Sequence, residues 1–73
     1  MKTIIIKEVN RVFDESEYLI YLTENDNNIF CYNVIGEELK SKVVGELLEQ
    51  NSNNTSIVEI TLEEFLKTNK KNG

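Results

Sequence analysis

The sequence predicts one small α+β domain: a three-stranded antiparallel meander, an amphipathic helix, a short fourth strand and a C-terminal helix, in the order βββαβα. Three observations predict it. Residues 3–35 hold three runs rich in β-branched and aromatic side chains, parted by two polar clusters. Residues 36–50 repeat apolar side chains at helical spacing, and Thr61-Leu62-Glu63-Glu64 matches a capping box that opens a helix. At 73 residues the chain is too short for two cores, so the domain is taken as 1–73, with a tail expected to fray from about residue 70.

The first strand is read from Thr3 to Phe13, a stretch free of Gly and Pro. Asp14-Glu15-Ser16-Glu17 reads as an acidic turn, Tyr18–Glu24 as the second strand, Asn25-Asp26-Asn27-Asn28 as the strongest turn signal, and Ile29–Ile35 as the third strand. Closing both hairpins through four-residue loops sets a provisional register. One face then carries Ile4, Ile6, Val12, Leu19, Tyr21, Phe30, Tyr32 and Val34. The other carries Ile5, Val9, Phe13, Tyr18, Ile20, Leu22, Cys31 and Ile35. Both faces are largely apolar, and a one-residue slip would exchange their members without changing that.

In Gly36–Gln50 the apolar positions Leu39, Val43, Val44, Leu47 and Leu48 fall on one helical stripe, and Glu37 and Glu38 suit the positive end of the helix dipole. Gly45 interrupts the helix at about 1 kcal/mol relative to alanine, so either another backbone approaches it closely or the helix is merely weaker; close packing against the sheet is the expectation taken. Asn51 to Ser56 is a polar linker, Ile57–Ile60 a short strand, and Thr61 the cap of a helix running to about Asn69 with Leu62, Phe65 and Leu66 on one stripe.

A sheet with two apolar faces needs cover on both, and two helices must supply it. If they share one side, the bare face is an apolar patch of the size that marks an interface. Dimerisation or a protein partner then follows. If they divide between the faces, a compact monomer results.

Composition excludes more than it assigns. Eight Lys+Arg against 13 Asp+Glu leave a formal charge of -5, which opposes direct binding of nucleic acid or an anionic membrane. There is no histidine and a single cysteine, so no zinc site can be assembled, no cofactor is implied, and acid–base catalysis lacks its usual residue. Phosphate-cradling glycine loops and nucleophile-elbow motifs are absent, and the three glycines are dispersed. Cys31, set among Phe30, Tyr32 and Val34, is expected to be a buried inert thiol, and its solitude points to a reducing, cytoplasmic setting. No apolar run approaches a membrane span, and the three isoleucines near the start are too few for a signal peptide.

What remains is a non-enzymatic protein-binding module. The partner-binding candidates are Asp14, Glu15, Glu17, Glu24, Asp26, Glu37 and Glu38, in or beside turns and at a helix start, with Tyr21 and Tyr32 as aromatic anchors. Such a surface fits a basic protein, a nuclease or nucleic-acid-binding protein. Ten Asn and eight Ile with no Ala resemble an A/T-rich reading frame, which points toward a phage or mobile-element product. An inhibitor of the anti-CRISPR or anti-restriction kind is the concrete version, by likeness of composition alone. The alternative is a small homo-oligomeric domain, a homodimer at its simplest. The charge also falls within the range that simply keeps a small domain soluble.

Overall fold

The structure, a computed structural model, describes residues 1–51 and 54–70. It contains β1 (Lys2–Val12), β2 (Glu15–Glu24), β3 (Asn27–Ile35), α1 (Glu37–Gln50), β4 (Thr55–Ile60) and α2 (Leu62–Lys70). The α+β class and the βββαβα order are as the sequence predicts. The strands form one mixed sheet in the order β3-β2-β1-β4. Both hairpin pairs are antiparallel, and β4 lies parallel to β1. Parallel pairing needs a crossover, and α1 provides it by carrying the chain from the β3 edge to the β4 edge. Thr55 and Ser56 of the expected linker belong to β4, while Ser52 and Asn53 lie outside the described residues. The tail expected to fray also lies outside them from Lys71 onward. Among the described residues no helix is long and apolar enough to cross a membrane.

The hairpin connections are shorter than four residues. Asn25 and Asp26 both adopt left-handed backbone, φ 53° and 68°, which the tight two-residue hairpin turn demands. Phe13 and Asp14 make the other connection. Two- and four-residue loops would give the same face assignment; what changes it is a pair of β-bulges. One interrupts the β1–β2 register between Glu8 and Asn10, the other the β2–β3 register between Leu22 and Thr23. Each inserts one extra residue and so turns the remainder of the pairing over.

The faces are therefore corrected. Ile4 and Ile6 share their side with Leu22 and Ile20, Tyr18, Val34, Tyr32 and Phe30, whereas Leu19 and Tyr21 join Ile5 and Cys31 on the other. The first face is the core. Its buried side chains are Ile4, Ile6, Tyr18, Ile20 and Leu22, closed by Leu47 of α1 with Val43, Val44 and Leu48 packed around them. At roughly 25 cal/mol per Å² of buried apolar surface this single layer is the main source of stability.

Two further expectations are corrected. Gly45 has nothing within 4 Å of where a Cβ would sit, so it makes no close approach to the sheet. It borders an open groove of about 350 Å³ between α1 and β4, lined by Val44, Leu48 and Ile57. Cys31 is exposed rather than buried, because β3 is an edge strand and its side chain projects from the face that α1 does not cover. The capping box is present as predicted: the Glu64 N–H donates to Thr61 Oγ1 at 3.2 Å and the Thr61 N–H to Glu64 Oε1 at 3.1 Å.

Candidate protein-binding surface

The predicted acidic residues divide into two groups at opposite ends of the sheet. Nine residue steps separate Glu15 from Glu24 along β2, about 30 Å at strand rise. Glu24 and Asp26 sit at the far end beside the β2–β3 turn. Asp14, Glu15, Glu17, Glu37 and Glu38 come together at the near end. The contact that joins them is the Gly36 N–H donating to Ser16 O at 2.9 Å, which brings the start of α1 against the start of β2. A Cβ on Gly36 would meet Glu15 Oε1 at 2.6 Å, so Glu15 lies directly beside the helix start that carries Glu37 and Glu38.

At the tip of this acidic end stands Phe13. Its side chain is 96% exposed and its backbone is left-handed, φ 58°. An exposed ring is ordinary and a left-handed turn is ordinary; a bulky non-glycine residue that combines both is not. The sequence reading missed it by extending β1 through Phe13. No residue pattern marks it: the Asp14–Glu17 cluster drew the turn two residues too far along, and only the Val12–Glu15 pairing places Phe13-Asp14 at the tip.

Hydrogen bonds fasten the acidic end to the fold. The Tyr18 hydroxyl donates to Glu37, whose other oxygen lies 3.0 Å from Lys40 Nζ. These contacts hold the Glu37 carboxyl below the usual carboxylate range, the Tyr18 hydrogen bond first and Lys40 second. Burial pushes the Tyr18 hydroxyl up, and the neighbouring Glu37 pushes it further. Burial alone would pull Lys40 down, but Glu37, Tyr18 and Glu59 outweigh it and leave the ammonium raised. Lys40 also lies 5.0 Å above the Tyr18 ring and 3.6 Å from Glu59, tying α1 to β2 and β4 at once.

Glu8, unremarked in the sequence reading, is a second fastening. It accepts from the Ser16 hydroxyl and from the Leu62 N–H at 3.2 Å, with Arg11 at 3.8 Å. The Ser16 bond chiefly, then the Leu62 amide and the arginine, keep its carboxyl below the ordinary range despite burial. Placed at the first amides of α2, the carboxylate also meets the positive end of that helix.

Tyr21 and Tyr32 do not share a surface. Tyr21 lies on the uncovered face opposite Ile5 and Cys31, with the Lys7 ammonium 5.2 Å from its ring centroid. Tyr32 lies on the core face at the β3 edge, its ring 6.3 Å from that of Phe30. The face that α1 does not cover carries Ile5, Leu19, Tyr21, Cys31, Ile35, Val58 and Ile60; Ile5, Leu19, Tyr21 and Ile60 are half-buried and the other three exposed. Among the described residues, no three of Cys, Asp and Glu gather closely enough to hold a metal ion. Comparison with protein-family models, with curated proteins and with solved structures finds no match to this chain.

Proposed function

We propose that the protein is a non-enzymatic binding module that inserts Phe13 into an apolar pocket on a basic protein, with the surrounding carboxylates meeting that protein's cationic rim. The observation that carries this is the coincidence at one tip: a fully presented aromatic ring in left-handed backbone, flanked by Asp14 and Glu15 and backed by Glu17, Glu37 and Glu38. Aromatic side chains are enriched at the buried centres of interfaces, whose rims are polar, and clustered charge steers encounter with an oppositely charged surface. A basic surface on a nuclease or nucleic-acid-binding protein is the matching chemistry. Occupying it would exclude nucleic acid, so the module would act as an inhibitor of the anti-restriction or anti-CRISPR kind. Glu24, Asp26, Tyr21 and Tyr32 lie apart from this tip and take no part in the proposal.

The test is capture of basic nucleic-acid-handling proteins from a bacterial lysate, comparing the native chain with Phe13→Asn and with Asp14→Asn/Glu15→Gln. Retention by the native chain should fall as salt rises and should be lost in Phe13→Asn while circular dichroism stays native. The same protein set bound by all three chains, or binding indifferent to salt, would discard the reading.

A further inference from the structure

We propose that the open edge of β3 pairs with a second copy of this chain, antiparallel about a two-fold axis at Tyr32, joining two four-stranded sheets into one continuous sheet. This surface adjoins the acidic end at Ile35 and Glu38 but does not include Phe13, and the inference stands whether or not that tip binds a partner.

The free groups on the edge follow from one hydrogen bond. Gly36 N–H donates to Ser16 O, and these residues continue the β2–β3 register in which Glu17 faces Ile35 and Tyr18 faces Val34. Antiparallel pairs alternate between those that exchange hydrogen bonds and those that do not. Val34, Tyr32 and Phe30 therefore bond to β2, and the N–H and C=O of Cys31, Asn33 and Ile35 point outward. They form a ready template for another strand.

Edges of this kind are normally blunted by lysine, proline, an inward charge or a covering loop. β3, Asn27–Ile35, contains no charged residue and no proline, and Phe30, Tyr32 and Ile35 are 49%, 40% and 42% exposed. The opposite edge, β4, is shorter, at six residues, and carries Glu59. The one protective device on β3 is the bulge at its beginning, which leaves Phe30–Ile35 as regular ladder.

A second copy is the occupant because the strand complements itself. In a chain of formal charge -5, β3 is an uncharged strip, so within the ladder itself two copies oppose no like charges and repulsion is left to its ends. With the axis at Tyr32, the outward groups of Cys31 bond to those of Asn33 in the copy. Tyr32 then faces Tyr32, and Phe30 faces Val34, an aromatic against a β-branched side chain. Moving the axis to Cys31 would draw the bulged Ile29 into the ladder; moving it to Asn33 would set Phe30 against Gly36. The molecule as a whole is also under-buried for its size. The chain exposes 5316 Å², against about 4,700 Å² expected for a folded monomer of 8.5 kDa. The excess, about 600 Å², is spread over the molecule, with Phe30, Tyr32 and Ile35 of β3 among the exposed large apolar side chains that make it up.

Beyond the ladder, Asp26 of one copy would approach Glu38 of the other, so salt should tighten this association, opposite to the salt response at the Phe13 tip. The experiment is sedimentation equilibrium of the reduced protein up to about 1 mM at about 50 and 500 mM salt. The expected result is a dimer at twice 8.5 kDa that is tighter at high salt. Cys31→Lys, which charges the exposed centre of the edge, should weaken it about tenfold or more. Tyr32→Cys in a Cys31→Ser background should cross-link on mild oxidation, because the facing Cα atoms of such a pair lie about 4.5 Å apart. A monomer throughout overturns the proposal and leaves the edge to a strand from another protein. A dimer indifferent to Cys31→Lys, or one that Tyr32→Cys cannot cross-link, overturns it as well.

Discussion

Phe13 occupies a backbone region that costs an L-residue with a bulky side chain about 1–2 kcal/mol, and its exposed ring recovers nothing by burial. Asparagine tolerates that region, so Phe13→Asn is expected to raise stability by about 0.5–1 kcal/mol, a rise in the thermal midpoint of about 2–8 °C. A lower midpoint would show that the ring supports the fold, and the case for its serving a partner would fail. Glu8 makes the opposite prediction. Its carboxyl and that of Glu37 titrate below the ordinary range in the folded protein. Their stabilisation is thus complete above the unfolded value of about 4.3 and fades as pH falls through the folded one. Urea midpoints should drop between about pH 5 and pH 3, and Glu8→Gln should flatten that drop. An unchanged slope would remove Glu8 from the acid response. Tyr18 and Lys40, both raised, contribute fully below about pH 10 and lose their share as pH climbs past their folded values.

The two internal glycines separate what an element needs from what it tolerates. Gly36 opens α1 at φ 101° and ψ 149°, a conformation essentially confined to glycine, with no side-chain cap beside it. Gly36→Ala should cost about 1–3 kcal/mol in chemical denaturation, from backbone strain and from the displaced Glu15 carboxylate. Gly45 sits inside the same helix with open space at its Cβ position, so Gly45→Ala should add about 1 kcal/mol, read as a higher midpoint. Equal effects from the two substitutions would contradict this assignment. Much of this level is legible in the sequence: the six elements, their order and the Thr61/Glu64 cap follow from side-chain preference and period. The faces of β2 are not. A bulge changes neither composition nor periodicity, yet one near Val9 and one near Ile29 move Leu19 and Tyr21 off the core side. The acidic site was half legible. Asp14, Glu15, Glu17, Glu37 and Glu38 stand out as charge, but their union depends on the Gly36–Ser16 hydrogen bond, and Phe13 emerges only once the turn is shortened to two residues.

The whole molecule is a thin slab, 38 × 28 × 15 Å between Cα extremes, with a radius of gyration of 12.8 Å against about 11 Å for a compact chain of this length. The short dimension holds one sheet and one helical layer, since packed layers lie about 10 Å apart. α1 is that layer. α2 packs along β1, where Glu8 accepts from the Leu62 N–H; Leu62 and Phe65 are half-buried there, and none of its described side chains is fully buried. The two helices should therefore differ sharply in what their loss does. Leu47 is the one buried side chain of α1, and Leu47→Ala opens the core directly, at an expected 2–4 kcal/mol. A domain this small has about 3–5 kcal/mol to lose, so that single change should leave the chain largely unfolded at 37 °C. A chain ending at Thr61 loses the Glu8–Leu62 hydrogen bond and an exposed helix, about 1–2 kcal/mol, and should still unfold cooperatively in urea. Its denaturant slope should fall only slightly, because among the described side chains of α2 only Leu62 and Phe65 are half-buried and none is fully buried. If truncation instead abolished cooperative unfolding, α2 would be an integral second layer, and the uncovered face would no longer be surplus to the fold.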